Sequence, residues 1–314
     1  MYKNNFLELI PAVLTPCSQA GKIDPASMQA LCRFLYKEGA TGLFVVSSTG
    51  EMPLLGEQER RVLIEIARQE SGSEHCLYIG VSGTGVSQIL EYTRQAAKAG
   101  GQVAVVMAPF FLKLDQEQFY QYAIEIADRS PIPVAFYHHL RMPTPIDDDT
   151  VMRLAAHPNI IAFKETSGDE TRLGNLAKAL AGQDFKLFQG SELLVLSTLK
   201  QGGRGCVTAL ANLCPGLHRS LFDAFEAGLP EKAERLQQQL TALWKIFRMP
   251  GVERSFGHFV QTLKIPLTEI GIIKSSATML PAFSTDPNFQ RDVLSFYKEW
   301  LHASPDESKQ TYTI

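Results

Sequence analysis

Short, β-branched apolar runs alternate with amphipathic helical patterns along most of this chain, at intervals of about thirty residues, the length of a β-α unit. Read as strands, the runs are Leu9 to Thr15, Gly42 to Ser47, Leu77 to Val81, Val103 to Met107, Ile132 to Phe136, Ile160 to Lys164, Lys186 to Gln189 and Gly205 to Ala209. Helical patterns such as Pro25 to Gly39, Gln58 to Gln69, Ser87 to Ala99 and Gln116 to Asp128 separate them. Continuous apolar strands are those of a parallel sheet covered on both faces. Eight such units with no terminal β-run predict an α/β fold, a (β/α)₈ TIM barrel. An open doubly wound sheet is the competitor, but the first strand-to-helix turn carries no G-x-G-x-x-G. The glycines of Gly80 to Gly85 are not followed by Gly-Lys-[Ser/Thr], so they read as a flexible loop. After Pro215 the pattern is helical only, over Gly216 to Ala227, Pro230 to Phe247, a segment around Gly251 to Leu263, and Asn288 to His302. The expected organisation is therefore a barrel over 1–228, a C-terminal helical extension over 229–303 and a loose polar tail over 304–314.

A length of 314 residues buries a full core without difficulty. The net charge of −3, with no basic block, gives nucleic acid and anionic membranes no support as partners. Apolar stretches are strand-sized, so no membrane span is expected, and the first five residues lack the apolar core of a secretory signal. Five cysteines without a Cys-x-x-Cys pair argue against a disulfide framework or zinc cluster and suit a cytoplasmic protein. Cys206, within a predicted strand, reads as a small buried hydrophobe.

In a barrel of this kind reacting groups come from the carboxyl ends of the strands. Strand six ends in Lys164, followed by Glu165-Thr166-Ser167-Gly168-Asp169, a helix-capping cluster. An ammonium at such a mouth is partly desolvated, which favours the neutral amine that attacks a ketone. The bland alternative is a strand-end lysine reaching solvent or pairing with Glu165. Strand two ends in Ser47-Ser48-Thr49-Gly50-Glu51, hydroxyls and amides around a glycine, suited to a small carboxylate or equally to capping the next helix. Strand five delivers Tyr137, either a proton shuttle or a packed phenol with its hydroxyl satisfied.

Ser48-Thr49-Gly50-Glu51, Tyr137 and Phe163-Lys164-Glu165-Thr166-Ser167-Gly168-Asp169, in this order and spacing, resemble the dihydrodipicolinate synthase / N-acetylneuraminate lyase family. The resemblance spans roughly Leu9 to His302. It implies a Schiff-base-forming class I aldolase or dehydratase on a (β/α)₈ barrel with a helical extension. It implies that Lys164 forms an imine with pyruvate or another 2-keto acid, that Tyr137 shuttles the proton, and that Ser48, Thr49 and Gly50 hold the carboxylate. No metal or organic cofactor is implied, and a homotetramer is.

The chain departs from the synthase branch of that family in several places. Where that branch has an arginine gripping the aldehyde's second carboxylate, this chain has Met142, with Arg141 one place earlier. The usual Tyr-Asn-x-Pro reads Tyr137-His138-His139-Leu140, and Phe110-Phe111 replace two tyrosines of a hydroxyl relay. His138 and His139 are expected to face the mouth and bind a substrate oxygen, unless one is exposed and the other packed. Phe110, Phe111 and Leu112 form an apolar loop suited to a partner surface. Glu192, Thr166 and Thr208 are expected to meet polyol hydroxyls. The expected reaction is aldol cleavage, condensation or dehydration of a 2-keto-3-deoxy sugar acid or related hydroxy-keto acid, with pyruvate and an aldehyde as partners. Alternatives are 4-hydroxy-tetrahydrodipicolinate synthase or N-acetylneuraminate lyase activity, and a pyruvate-binding homologue without turnover. A metal-dependent barrel lyase ligated by Glu51, Glu165, Asp169 and Glu192 is a further rival. Against it, Glu165 and Asp169 also suit the N-terminus of the helix that follows them.

Overall fold

The computed structural model describes residues 6–279 and 286–303; the tail expected from residue 304 onward lies outside them. Eight parallel strands run β1 Glu8–Leu9, β2 Gly42–Val45, β3 Cys76–Gly80, β4 Val103–Met107, β5 Val134–His138, β6 Ile160–Glu165, β7 Lys186–Gln189 and β8 Gly205–Cys206. They are hydrogen-bonded in the order β1-β8-β7-β6-β5-β4-β3-β2. A parallel bridge between Ala12 and Phe44 joins the two ends, with Val13 N–H to Phe44 O at 2.9 Å and Phe44 N–H to Pro11 O at 2.9 Å. Closure removes the sheet edges, as a TIM barrel requires.

Each strand leads to a helix: α1 Pro25–Lys37, α2 Glu57–Glu70, α3 Val86–Lys98, α4 Gln116–Arg129, α5 Asp148–Ala155, α6 Glu170–Ala179, α7 Val195–Lys200 and α8 Pro215–Glu226. Aspartates do much of the starting. Asp24, Asp115, Asp147 and Asp169 accept backbone N–H groups of the first turns of α1, α4, α5 and α6, satisfying donors that a helix leaves free. Three helices follow the eighth unit: α9 Pro230–Trp244, α10 Phe256–Glu269 and α11 Pro287–Ala303. The expected helix around Gly251 to Leu263 thus begins later. Gly251, at φ 97, opens a 3₁₀ turn over Val252–Arg254, and Ser255 caps α10 through His258 N–H. None of the described helices is long and apolar enough to cross a membrane.

Several strands differ from their expected limits for covalent reasons. Strand five starts at Val134 rather than Ile132 because Pro133 has no N–H for the ladder. Strands one and eight are short, and their second halves run on as isolated bonds, Ile10 N–H to Cys206 O at 3.0 Å and Ala12 N–H to Thr208 O at 3.0 Å. Gly80 closes β3 instead of opening a loop. A Cβ there would sit 1.9 Å from Val46 O, so only glycine admits the turn leaving β2.

Candidate active site

At the carboxyl end of the strands lies a cavity of about 1260 Å³. Its floor comes from strand ends and the loops after them: Ser48 and Thr49 (β2), Met107 (β4), Tyr137 and His139 (β5), Lys164 and Thr166 (β6), Glu192 (β7), Val207 and Ala209 (β8). Its outer wall comes from the extension, with Trp244, Phe247, Arg248, Phe256 and Phe259.

Lys164 is 7 % exposed, and no hydrogen bond or ion pair engages its Nζ among the described residues. Its Nζ lies 4.0 Å from the centroid of the Tyr137 ring and 5.6 Å from that of Phe44. Tyr137 and Lys164 are register partners across β5 and β6, so backbone hydrogen bonding sets their adjacency. The bland reading of Lys164 fails on the same ladder. Successive residues of a strand face opposite sides, so Glu165 points away. It pairs with Arg172 at 2.6 Å and lies 3.1 Å from His138 Nδ1.

The loop after β2 is tightly wound. Val46 and Glu51 both hold positive φ, 56° and 62°, a conformation uncommon outside glycine. Gly50 N–H donates to Ser47 Oγ at 2.9 Å, Glu51 N–H to Ser48 O at 3.0 Å and Met52 N–H to Ser47 O at 3.1 Å. The amides and hydroxyls of Ser48 and Thr49 make no hydrogen bond among the described residues. Two free amides and two free hydroxyls beside a buried amine form a nest for an anionic oxygen. Gly50 serves a different purpose from the one expected: its amide is spent on Ser47, and a Cβ would lie 2.5 Å from Val13 O. The close approach that demands glycine is to the neighbouring strand.

Two further expectations are corrected by strand alternation. His138 does not line the cavity; Tyr137 and His139 do, so His138 must face outward. It sits in a buried cluster with Glu165 and Arg172, whose Nε reaches outward to the half-exposed Asp148 Oδ1 at 2.6 Å. Arg172 Nη1 lies 2.8 Å from His138 Nδ1. A guanidinium can only donate, so the consistent assignment has both Nδ1–H and Nη1–H donating to Glu165. Burial alone would raise the Glu165 carboxyl, but His138, Arg172 and the Ser167 hydroxyl together carry it below its usual range. Thr208 is likewise turned outward, between inward Val207 and Ala209, and its Oγ1 is 3.2 Å from His218 Nε2.

His139 is a different case. Its ring meets Tyr137 edge-on at 5.8 Å, and Nδ1 accepts Arg141 N–H at 3.0 Å. Burial, followed by the charges of Lys164, Arg141 and His138, pushes it down to about 4. At neutral pH the ring is uncharged; Nδ1 is occupied as an acceptor, so the proton resides on Nε2. Glu192 accepts Ala209 N–H and Leu210 N–H, both at 3.0 Å on Oε1. Burial, against those two donors, raises its carboxyl. Its own backbone N–H and the charge of Lys164 also favour the carboxylate. Thr166 Oγ1 is buried and unpartnered.

Glu51, behind the nest, binds the ammonium of Lys264 at 2.6 Å, the pair being wholly buried. No sequence motif pointed to this partner, although Lys264 interrupts the apolar run Leu263-Lys264-Ile265-Pro266-Leu267. The four carboxylates of the metal reading are separately engaged: Glu51 by Lys264, Glu165 by Arg172, Asp169 as the cap of α6 and Glu192 by backbone amides. No group of three or more His, Cys, Asp or Glu among the described residues is arranged to hold a metal ion.

Residues 5–299 match the model of the dihydrodipicolinate synthetase family. The chain belongs to this family. Its members are lyases acting on pyruvate-derived substrates, and the chain is an enzyme of that kind. It is 31 % identical over 257 residues to a 4-hydroxy-tetrahydrodipicolinate synthase of Thermodesulfovibrio yellowstonii, covering 82 % of this chain and 84 % of that one. It is 30 % identical over 289 residues to 4-hydroxy-tetrahydrodipicolinate synthase 1 of Streptomyces coelicolor, with 92 % of each chain covered. Among solved structures, YagE, a prophage protein of the dihydrodipicolinic acid synthase family from E. coli in complex with pyruvate, superposes with a TM-score of 0.87 at 25 % identity. That match covers 94 % of this chain and 98 % of YagE.

Proposed function

We propose that this enzyme is a class I lyase that binds a 2-oxo acid through its carboxylate and forms an imine on Lys164. The substrate class we favour is a 2-keto-3-deoxy sugar acid or related hydroxy-keto acid. The observation that carries the proposal is a buried amine engaged in no hydrogen bond or ion pair, beside a phenol ring 4.0 Å away and a loop with two unused amides. In this reading Ser48 and Thr49 hold the carboxylate and set C2 against Nζ. Attack by the neutral amine and loss of water leave an iminium, an electron sink. Removal of the C4 hydroxyl proton then breaks the C3–C4 bond; the electron pair moves into an enamine and an aldehyde departs. Protonation at C3 and hydrolysis release pyruvate and restore the amine. Tyr137 carries the protons. No metal or organic cofactor has a step to perform.

A cavity of about 1260 Å³ exceeds the roughly 300–1,000 Å³ of most small-ligand sites, so pyruvate alone would leave most of it empty. Glu192, Thr166 and the His139 Nε2–H supply acceptors and donors beyond C3 for hydroxyls, which a matched polar site discriminates well. Arg141 favours a second reading. It lines the cavity and its guanidinium has no partner among the described residues, suiting an aldehyde with its own carboxylate, as in the synthases. Phe111, 87 % exposed next to cavity-lining Phe110, is proposed to pack on a second copy of the chain in a homo-oligomer. The five free cysteines fit a cytoplasmic setting.

The deciding experiment is incubation with pyruvate and borohydride followed by peptide mapping. A reduced pyruvyl adduct on Lys164, absent in Lys164→Ala, is expected; no adduct in the wild type refutes the imine. Turnover of a panel of 2-keto-3-deoxy sugar acids, against pyruvate plus carboxylated aldehydes, separates the two substrate readings.

A further inference from the structure

The outer wall of the cavity differs in chemistry from its floor. Around Lys164 the lining carries hydroxyls, amides, an imidazole and a carboxyl, whereas the extension contributes aromatic rings. Phe247 and Phe259 lie with ring centroids 4.7 Å apart, and Phe256 stacks on Phe259 at 5.6 Å. Leu54, in the 3₁₀ turn Met52–Leu54 that follows the Ser48-Thr49 loop, lines the same cavity. Phe256 and Leu54 remain 36 % and 41 % exposed, large apolar side chains left open at the cavity.

The ring stack is held by local means. Phe256 and Phe259 stand three residues apart on α10 and so share a face of it. Ser255 Oγ accepts His258 N–H at 3.2 Å and fixes the turn that carries both. The two charged side chains that the extension adds to the lining are drawn back onto it. The Arg248 guanidinium lies 4.9 Å from the centroid of the Trp244 ring, and Glu253 accepts Gly251 N–H at 3.0 Å. The wall thus presents ring surface. A cluster of apolar side chains open to a cavity marks a ligand groove. Continuity decides its occupant: the rings bound the cavity that holds Lys164 Nζ, and the part of the substrate extending away from the imine is its C4 substituent.

We infer that this enzyme also accepts aryl aldehydes, seating the ring of the aldehyde, and of the 4-aryl-4-hydroxy-2-oxobutanoate formed from it, against Phe256, Phe259 and Phe247. This rests on the imine reading above and adds an acceptor class to it. The step is redox-neutral. The pyruvate iminium loses a C3 proton to give the enamine, whose C3 attacks the aldehyde carbon. The C3–C4 bond forms, and the aldehyde oxygen takes up a proton as the C4 hydroxyl. Hydrolysis then consumes the water released when the imine formed and frees Lys164.

The test has a binding arm and a turnover arm, each on wild type, Phe256→Ala and Phe259→Leu. Pyruvate and 2-oxo-4-phenylbutanoate are titrated calorimetrically; the latter lacks a C4 hydroxyl and is bound without being cleaved. Condensation of pyruvate with benzaldehyde is compared with condensation with glyceraldehyde. The phenyl acid is expected to bind wild type about tenfold more tightly than pyruvate, from the ring surface it buries. That advantage should shrink in both variants, and kcat/KM for benzaldehyde should fall about tenfold relative to glyceraldehyde. A merely structural role lowers both acceptors in parallel, and that result overturns the inference. Equal affinity for the two acids in wild type, or reaction with glyceraldehyde but not with benzaldehyde, also overturns it. So does a changed mass of Phe256→Ala in light scattering with no change in the phenyl acid's advantage, which would give the wall to a second copy of the chain. Tighter binding of the phenyl acid, weakened in the variants, without borohydride trapping of pyruvate on Lys164 would refute the imine alone and leave the ring site standing. A wild type that binds neither acid overturns both.

Discussion

Replacing Lys264 by Met tests the frame on which the site is built. The ammonium is fully buried and satisfies Glu51 Oε1, Ala277 O and the Cys17 sulfur. Met fills the same volume but strands the Glu51 carboxylate, itself 2 % exposed, with the single donor Met279 N–H. Breaking a buried pair from one side costs about 3–5 kcal/mol, because it leaves an uncompensated charge out of water. At roughly 2–4 °C per kcal/mol for a large domain, the melting temperature should fall by about 6–20 °C. The double variant Glu51→Gln/Lys264→Met removes both charges. The amide can still accept Met279 N–H and leaves no charge stranded, so the double variant should be less destabilised than the sum of the singles. Thermal unfolding at a fixed scan rate and equilibrium urea titration of the four proteins provide the cycle. Singles that add without interaction, or a Lys264→Met melting temperature within about 2 °C of wild type, would show that the pair does not anchor the mouth.

Tyr137→Phe keeps the ring beside Lys164 and should preserve borohydride trapping while turnover falls by about 10²–10⁴-fold, the usual range for a proton shuttle; unchanged turnover refutes the role. His139→Phe retains the edge-on contact with Tyr137 but loses Nε2–H, so it should change the preference among sugar acids and spare pyruvate trapping. Identical kinetic constants across the substrate panel would make His139 a bystander. His218 gives a pH signature of the fold: Nδ1–H donates to Cys214 O at 2.9 Å and Nε2 takes the Thr208 hydroxyl, so burial pushes it from 6.5 down to about 4. Between those values the unfolded chain binds the extra proton, so stability should drop as pH falls through this window, by about 2 kcal/mol from pH 7 to 5. His218→Gln should flatten that part of the urea-denaturation profile, and an unaltered slope would show that His218 does not carry it.

The barrel was legible because its signal is local and repeated. Each unit announces itself by an apolar run and a helical period, and the count of eight then specifies closure. Lys164, Tyr137 and the Ser48-Thr49 loop were legible for a related reason: each stands where a strand ends, and in this fold strand ends converge. What misled was the parity of adjacent residues. His138 and His139, or Thr208 and its neighbours, are equally close to the mouth along the chain, but a strand sends alternate side chains to opposite sides. Fixing which parity faces inward requires one anchor, and Lys164 with its register partner Tyr137 supplies it. From Tyr137, His139 follows as inward and His138 as outward; from Lys164, Thr166 follows as inward and Glu165 as outward. The buried Glu165–His138–Arg172 cluster is the consequence: two outward residues at neighbouring positions of adjacent strands pair with each other, and Arg172 closes on the same carboxylate.

The extension resisted reading because its contribution is made entirely through distant contacts. Glu51 and Lys264 are separated by 213 residues, and nothing local to either names the other. There was nevertheless a physical clue in Lys264: a lysine flanked on both sides by core residues in a helix cannot remain unpaired, since burial of a lone ammonium is among the most costly arrangements a fold can hold. A partner carboxylate was therefore required somewhere. Glu51, held at positive φ behind a loop of free amides, was the acidic residue whose own burial also needed explaining. The two requirements satisfy each other. Their meeting places the Thr278–Met279 segment against a cavity whose strand-end lining runs to Ala209, which is why the extension has to be counted as a wall of the candidate active site.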